Sequence, residues 1–304
     1  MNATKAVRFA VISAAAVGAI ALSATRLDAW GEAGHKMIGL AAAQALPADM
    51  PAFFRDAATQ LSYLNPEPDR WKDRSERDKD PALEQGTSPE HFMDMDMISA
   101  DRMDNALAAP NRFAYADTLR LLNLQLSVVG LLPFRITELS QTLRIEWKLW
   151  RAASDDATKR AIEARIINDA GILGHYIADG SNPMHTSLQY NGWTGPNPNG
   201  YATDRGAHSR FESIYVGAKM KIADVAPLIP KEVRPITNLR RSTIAYLNES
   251  RSQIERLYQL DKAAPFGAEN VAPENKQFTA ERLAAGARML RDVWYSTYVA
   301  SAVP

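Results

Sequence analysis

No stretch of this sequence sustains the apolar–polar alternation of a β-strand, whereas helical spacing of apolar residues recurs along most of it. Met37, Leu40, Ala41 and Ala45 follow that spacing between Gly34 and Leu46, and Leu119, Leu122 and Leu126 form one stripe between Tyr115 and Val129. Ser154-Asp155-Asp156 reads as a helix cap with acids in the first turn, opening a long helix towards Ile177. Thr279 to Ala302 reads as a final amphipathic helix rich in Ala and Leu. The expected fold is all-α. With 46% hydrophobic residues in 304, the chain can bury one substantial core, and no repeat or linker divides it. A single helical domain follows.

Two stretches break the helical pattern. Asn65 to Pro89 is charged and contains Pro66, Pro68, Pro81 and Pro89, which predicts a long loop. Asn182 to Gly206 is dense in Gly, Pro and Asn and predicts another. Loops of this length inside a compact domain are usually functional or disordered.

The first 29 residues form a separate unit. Lys5 and Arg8 precede an apolar run of 14 residues from Phe9 to Leu22. That run is short for a membrane span and suits a secretory signal peptide cut after Ala29, with an uncleaved anchor as the alternative. The expectation is a signal peptide over 1–29, a catalytic domain over 30–304 beginning at Trp30, and a secreted or periplasmic location. Basic and acidic residues balance at 35 each, so no global field attracts a polyanion. The absence of cysteine excludes disulfides, thiolate zinc sites and thiol nucleophiles.

Chemistry concentrates on five histidines: His35, His91, His175, His185 and His208. His175 and Asp179 are four apart on an expected helix, so both side chains share one face and can hold one metal or bridge two. His208 and Glu212 repeat that spacing, and His185 follows His175 by ten residues. A single His near a carboxylate is ordinarily a plain surface or core residue. Two such pairs, a third His at a fixed offset and Trp30 five residues before His35 favour a metal centre. Cleavage before Trp30 would also create an α-amine, which is itself a nitrogen ligand.

The Trp-Gly-x-x-Gly-His start at Trp30 and the His-x3-Asp-x5-His run at His175 resemble the single-strand-specific zinc nucleases of fungi and plants. Those enzymes share an all-helical fold, with long active-site loops, with bacterial zinc-dependent phospholipase C. The resemblance extends from Trp30 to about Val216 through spaced motifs, and beyond that through helical character alone. It implies three Zn2+ ions. Trp30 (through its amine and carbonyl) and His35 would hold one, with Asp179 bridging. Asp69, His91, His175 and Asp179 would hold the second, and His185, His208 and Glu212 the third. Asp69 is carried over from Pro68-Asp69-Arg70-Trp71-Lys72, with Glu67 and Asp73 as neighbouring alternatives. Lys72, where the nucleases carry Arg, would contact the scissile phosphate or else be a solvated loop charge.

The resemblance divides between two branches. Glu212 stands where the nucleases have Asp and the phospholipases Glu. The tight Trp30–His35 spacing and the long loop between His185 and His208 are nuclease-like. His91-Phe92-Met93-Asp94 matches the nuclease segment whose aromatic and Asp recognise a base, although Phe92 can equally pack in the core and Asp94 can orient His91. Tyr190 and Trp193 either stack on bases or order their loop. The 84-residue interval from His91 to His175 is longer than either branch has, and Arg102 to Trp150 is expected to form an added helical hairpin that reshapes the cleft. The resulting expectation is hydrolysis of single-stranded DNA, RNA or 3′-nucleotides by a zinc-activated water. Phospholipase C acting on phospholipid is the rival enzyme, and a non-catalytic zinc-binding periplasmic protein the rival of another class. No protein partner is inferable.

Overall fold

A computed structural model describes residues 30–302, so the expected signal peptide lies outside the described residues. Six longer helices organise them: α1 (Gly31–Gln44), α2 (Leu132–Ala152), α3 (Asp156–Asp179), α4 (Leu239–Ser252), α5 (Ile254–Ala263) and α6 (Pro273–Ala300). Among the described residues no strand forms, and β pairing is limited to the isolated bridges Met93–Gly130 and Tyr190–Gly192. The all-α, single-domain expectation holds. No helix of the described residues is long and apolar enough to cross a membrane.

The two longest helices, α3 and α6, pack against α1 and α2 around one core. Its centre is aromatic: Trp147 of α2 lies edge-on to Phe54 and to Tyr298 of α6, with ring centroids 5.5 and 5.1 Å apart, and Trp294 is 5.4 Å from Phe54. Such tilted contacts suit the ring quadrupoles and fill volume without polar atoms. The N-terminus of α3 is capped by Asp155, whose carboxylate accepts the Thr158 amide, as the sequence implies. From Ala170 to Asp179 nearly every residue of α3 is buried. A helix end buried on all sides must find partners for its polar side chains inside the protein. His175 and Asp179 sit there.

Several boundaries differ from expectation. The 115–129 stripe is not one helix: Arg112–Leu121 ends before Asn123, which takes φ 57°, and a separate turn spans Leu126–Val129. Asn tolerates that left-handed conformation better than most residues, so apolar spacing continued past a backbone reversal. The 65–89 stretch is not a plain loop. Its prolines start short helices or stand just before them, at Glu67–Arg70, Ala82–Thr87 and Ser88–His91, and Arg74–Arg77 is capped by Asp73. The 102–150 stretch is more than a hairpin, comprising helices at Ala100–Leu107, Arg112–Leu121, Leu126–Val129 and most of α2. The final helix starts at Pro273, six residues before Thr279.

One buried carboxyl makes a prediction about the core. Glu146 of α2 takes a 2.8 Å bond from Arg165 of α3 on one oxygen, and its other oxygen has no partner. Burial, reinforced by Asp169, pushes its pKa up to about 7. A carboxyl whose pKa is raised on folding adds stability below its unfolded pKa, and that contribution is lost as pH rises through about 7. Glu146→Gln should therefore flatten the fall in thermal midpoint between pH 5 and 7.5, measured by circular dichroism melts; an unchanged slope would contradict it.

Candidate metal centre

The site gathers where six chain segments end on one another. α1 supplies His35 from its second turn, and Trp30 stands immediately before that helix. The last turn of α3 supplies His175 and Asp179. Short helical turns supply Asp69, His91 and His185. His208 and Glu212 come from a turn at Ala207–Ser209 that runs into a π-helical segment, Arg210–Tyr215. π segments inside helices recur at functional sites. All five histidines and all three carboxylates are buried.

These eight residues fall into three groups able to hold a metal ion: His35 with His175 and Asp179, Asp69 with His91 and His175, and His185 with His208 and Glu212. Asp179 faces two ways. Its Oδ1 lies 3.5 Å from His35 Nε2, while its Oδ2 lies 3.1 Å from His91 Nδ1 and 3.3 Å from His175 Nε2. Asp69 Oδ1 is 3.6 and 3.8 Å from His175 and His91. In the third group Glu212 Oε2 is 2.6 Å from His208 Nε2 and 3.7 Å from His185 Nε2. Tetrahedral zinc with bonds near 2.0–2.1 Å spaces its ligand atoms at roughly 3.3 Å, the middle of this range.

The hydrogen bonds around the site favour the same reading. Four imidazoles use Nδ1 on a fixed oxygen: His35 on Asn65 Oδ1, His175 on the Asn65 carbonyl, His185 on the His91 carbonyl and His208 on the Tyr190 carbonyl, all at 2.8–2.9 Å. An imidazole that donates from Nδ1 presents the lone pair of Nε2, as a metal ligand must. His91 is reversed, with Nδ1 towards the cluster. What remains is a set of buried atoms without a hydrogen-bond partner, including His35 Nε2, Asp69 Oδ2, Asp179 Oδ1 and Glu212 Oε1. Native proteins rarely leave such atoms orphaned together, and divalent cations would satisfy them. The residues present fit a multinuclear metal centre.

Electrostatics agree. Burial, followed by the Lys72 charge, holds His91 well below the usual imidazole range, and burial followed by His35 does so for His175. Both are therefore neutral and free to ligate at physiological pH. Burial and the neighbouring Asp69 push Asp179 well above the usual carboxylate range. Without a cation this site is over-supplied with negative charge. At the third group burial opposes the ion pair, yet the Glu212 charge raises His208 and the two imidazoles lower Glu212.

The remaining candidates divide clearly. Asp69 enters the cluster, whereas Glu67 turns to Arg70 and Asp73 caps the next helix. Lys72 Nζ lies 2.7 Å from Asp69 Oδ1, at the rim of the cluster and largely shielded from water. Trp30 is fully buried, and its indole donates to the Ala178 carbonyl and to Ser181. Its backbone N donates to Glu212 at 3.0 Å, and its carbonyl accepts the Gly34 amide at 3.1 Å. Trp30 adopts φ 46°, which is strained for a bulky side chain and is held by this packing. Phe92 and Asp94 line a cavity of about 430 Å³ beside His185 and His208, with Met184, Leu188, Tyr190, Val128 and Ser127 among its other walls. Burial, then Asp96, raises Asp94 to about 7. Trp193 instead packs on Tyr201 and Tyr258 and orders its loop.

Sequence reasoning missed the residues that hold the ligands. Asn65 grips both His35 and His175, and Asn182 donates to Glu212 at 3.2 Å. Glu90, beside His91, is clamped by Arg112 and Arg135. The available signal was the Asn that opens each expected loop. Gly174 makes the Asn65 contact possible: a Cβ there would lie 2.4 Å from Asn65 Nδ2.

No family model matches this sequence, and no curated protein matches it. A similar solved structure is that of Clostridium perfringens alpha-toxin from avian strain SWCP, at 15% identity with a TM-score of 0.38. The alignment covers 91% of this chain and 66% of the toxin, so the chain spans about two thirds of that protein's length.

Two measurements probe the centre. Zinc added to chelator-stripped protein should raise its thermal midpoint, and Asp179→Asn should lose most of that rise while the stripped variant is no less stable than stripped wild type; a full zinc response in the variant would remove Asp179 from the ligands. Gly174→Ala should cost about 1–3 kcal/mol by overpacking Asn65 and weaken zinc binding roughly 10–100-fold, read by competition with a chromophoric chelator.

Proposed function

We propose that this chain is a secreted or periplasmic zinc-dependent phosphodiesterase that hydrolyses single-stranded DNA or RNA, with 3′-nucleotides as further substrates. The observation that most supports it is the cavity against His185 and His208, where an apolar wall meets the single carboxyl of Asp94. A planar base has two apolar faces and a hydrogen-bonding edge, and this lining matches both. Capture by stacking also needs no broad basic groove, in keeping with a chain whose charges balance.

Zinc suits a donor set of imidazoles and carboxylates without thiolate. In the proposed assignment Trp30 and His35 hold one ion, Asp69, His91 and His175 the second, and His185, His208 and Glu212 the third, with Asp179 shared between the first two. Bound zinc would supply Lewis acidity towards the phosphate and lower the pKa of a coordinated water towards roughly 7. The protein does the rest. Phe92 and Tyr190 stack on the base, and Asp94, near its midpoint of protonation, can donate to or accept from the base edge. Lys72 adds positive charge at the rim, where it can contact a phosphate oxygen. Burial excludes bulk water from the ligands and strengthens each of these interactions. No side-chain nucleophile is required.

The test is turnover of single-stranded oligonucleotide and of phosphatidylcholine by the zinc-loaded protein, with chelator controls. Oligonucleotide hydrolysis abolished by chelator supports the proposal. Hydrolysis of phosphatidylcholine alone would make the chain a phospholipase C, and tight zinc binding without turnover would make it a storage protein. Asp94→Asn should raise KM for oligonucleotide severalfold with little change in kcat; an unchanged KM would remove Asp94 from substrate binding.

A further inference from the structure

The base-sized cavity has one wall that the ligand-bearing segments do not provide. Ser127 and Val128 line it from the turn Leu126–Val129, in the middle of the long stretch between His91 and His175. This turn is fastened to the segment that carries Phe92 and Asp94. Asp94 N donates to the Val129 carbonyl at 2.7 Å, Leu132 N to the Phe92 carbonyl at 3.2 Å and Leu131 N to the Pro89 carbonyl at 2.6 Å. Gly130 makes the junction possible. It takes φ 95°, and a Cβ there would fall 2.0 Å from the Phe92 carbonyl oxygen, so only glycine fits. Val129 is fully buried behind the turn, while Val128 keeps 45% of its surface exposed and faces the cavity. A side chain at the mouth of a cavity, on a backbone clamped at three points, fixes a width that cannot relax easily.

We infer that Val128 is a specificity-determining residue: it sets how large a base can seat between its methyl groups and the Phe92–Asp94 wall. The inference rests on the single-strand nuclease reading of the same cavity. Enlarging Val128 narrows the mouth and discriminates against purines before pyrimidines, whereas truncating it relaxes the preference. The metal ligands are untouched by either change.

The experiment measures kcat/KM of zinc-loaded wild type, Val128→Phe and Val128→Ala. The substrates are single-stranded oligo-dA, oligo-dT and an oligonucleotide of abasic residues. Val128→Phe should lower kcat/KM on oligo-dA about tenfold, through KM, and on oligo-dT less, with the abasic strand unchanged. Val128→Ala should move the dA-to-dT ratio in the opposite sense. Both variants should keep the wild-type thermal midpoint and zinc content, since the site is exposed. Equal losses on all three strands, or no change on any, would overturn the role of Val128 and leave the nuclease reading intact. Absence of oligonucleotide hydrolysis by wild type would instead overturn that reading and this role with it.

Discussion

Everything near the centre depends on burying Asp179. Its carboxylate closes the last turn of a 24-residue helix and is fully removed from water, with four imidazoles and a second carboxylate around it. A charge in that position is costly unless compensated, and the nearby Lys72 charge is outweighed by burial and by Asp69. Imidazoles kept neutral by burial offer lone pairs, not positive charge. Divalent cations would resolve the mismatch, because they would satisfy the imidazole lone pairs and the carboxylate oxygens together.

That requirement explains much of the packing outside the site. Asn65 binds two ligating imidazoles with one residue, and Gly174 leaves the space that lets it approach. Residues 91–95 run beside residues 185–186, with Met93 N on the His185 carbonyl and His185 Nδ1 on the His91 carbonyl, so ligands of two different groups brace each other. Glu90 carries the same order outward: Arg112 and Arg135 hold it, and Arg135 also lies over the ring of Tyr176, next to His175. Rings and carboxylates orient the ligands before any ion arrives, which lowers the entropy cost of binding it.

The interval between His91 and His175 serves two ends. It contributes a long helix to the core through Trp147 and a turn to the cavity through Val128. One segment therefore serves both stability and the shape of the cavity. The junction at Gly130 couples the two, since the cavity-lining turn ends at Val129 and the helix starts at Leu132.

By itself the sequence determined the all-α class, the cap at Asp155 and the histidines and carboxylates that could hold metal. Those features are local: the 3.6-residue period, a capping side chain and a His four residues before a carboxylate report on one segment at a time. It also placed Asp69 ahead of Glu67 and Asp73, through a resemblance and not through spacing. Only the tertiary structure decided which candidate ligands group together, that Asn65 orients two of them, that Trp193 orders a loop, and that Val128 lines one cavity with Phe92 and Asp94. The short helices of 65–89 and the break at Asn123 also escaped it, because prolines that start a helix look like prolines that prevent one, and apolar spacing does not register a backbone reversal. Contacts at the site join residues as far apart as Trp30 and Glu212, 182 positions from each other, and they exist only once the helices have packed.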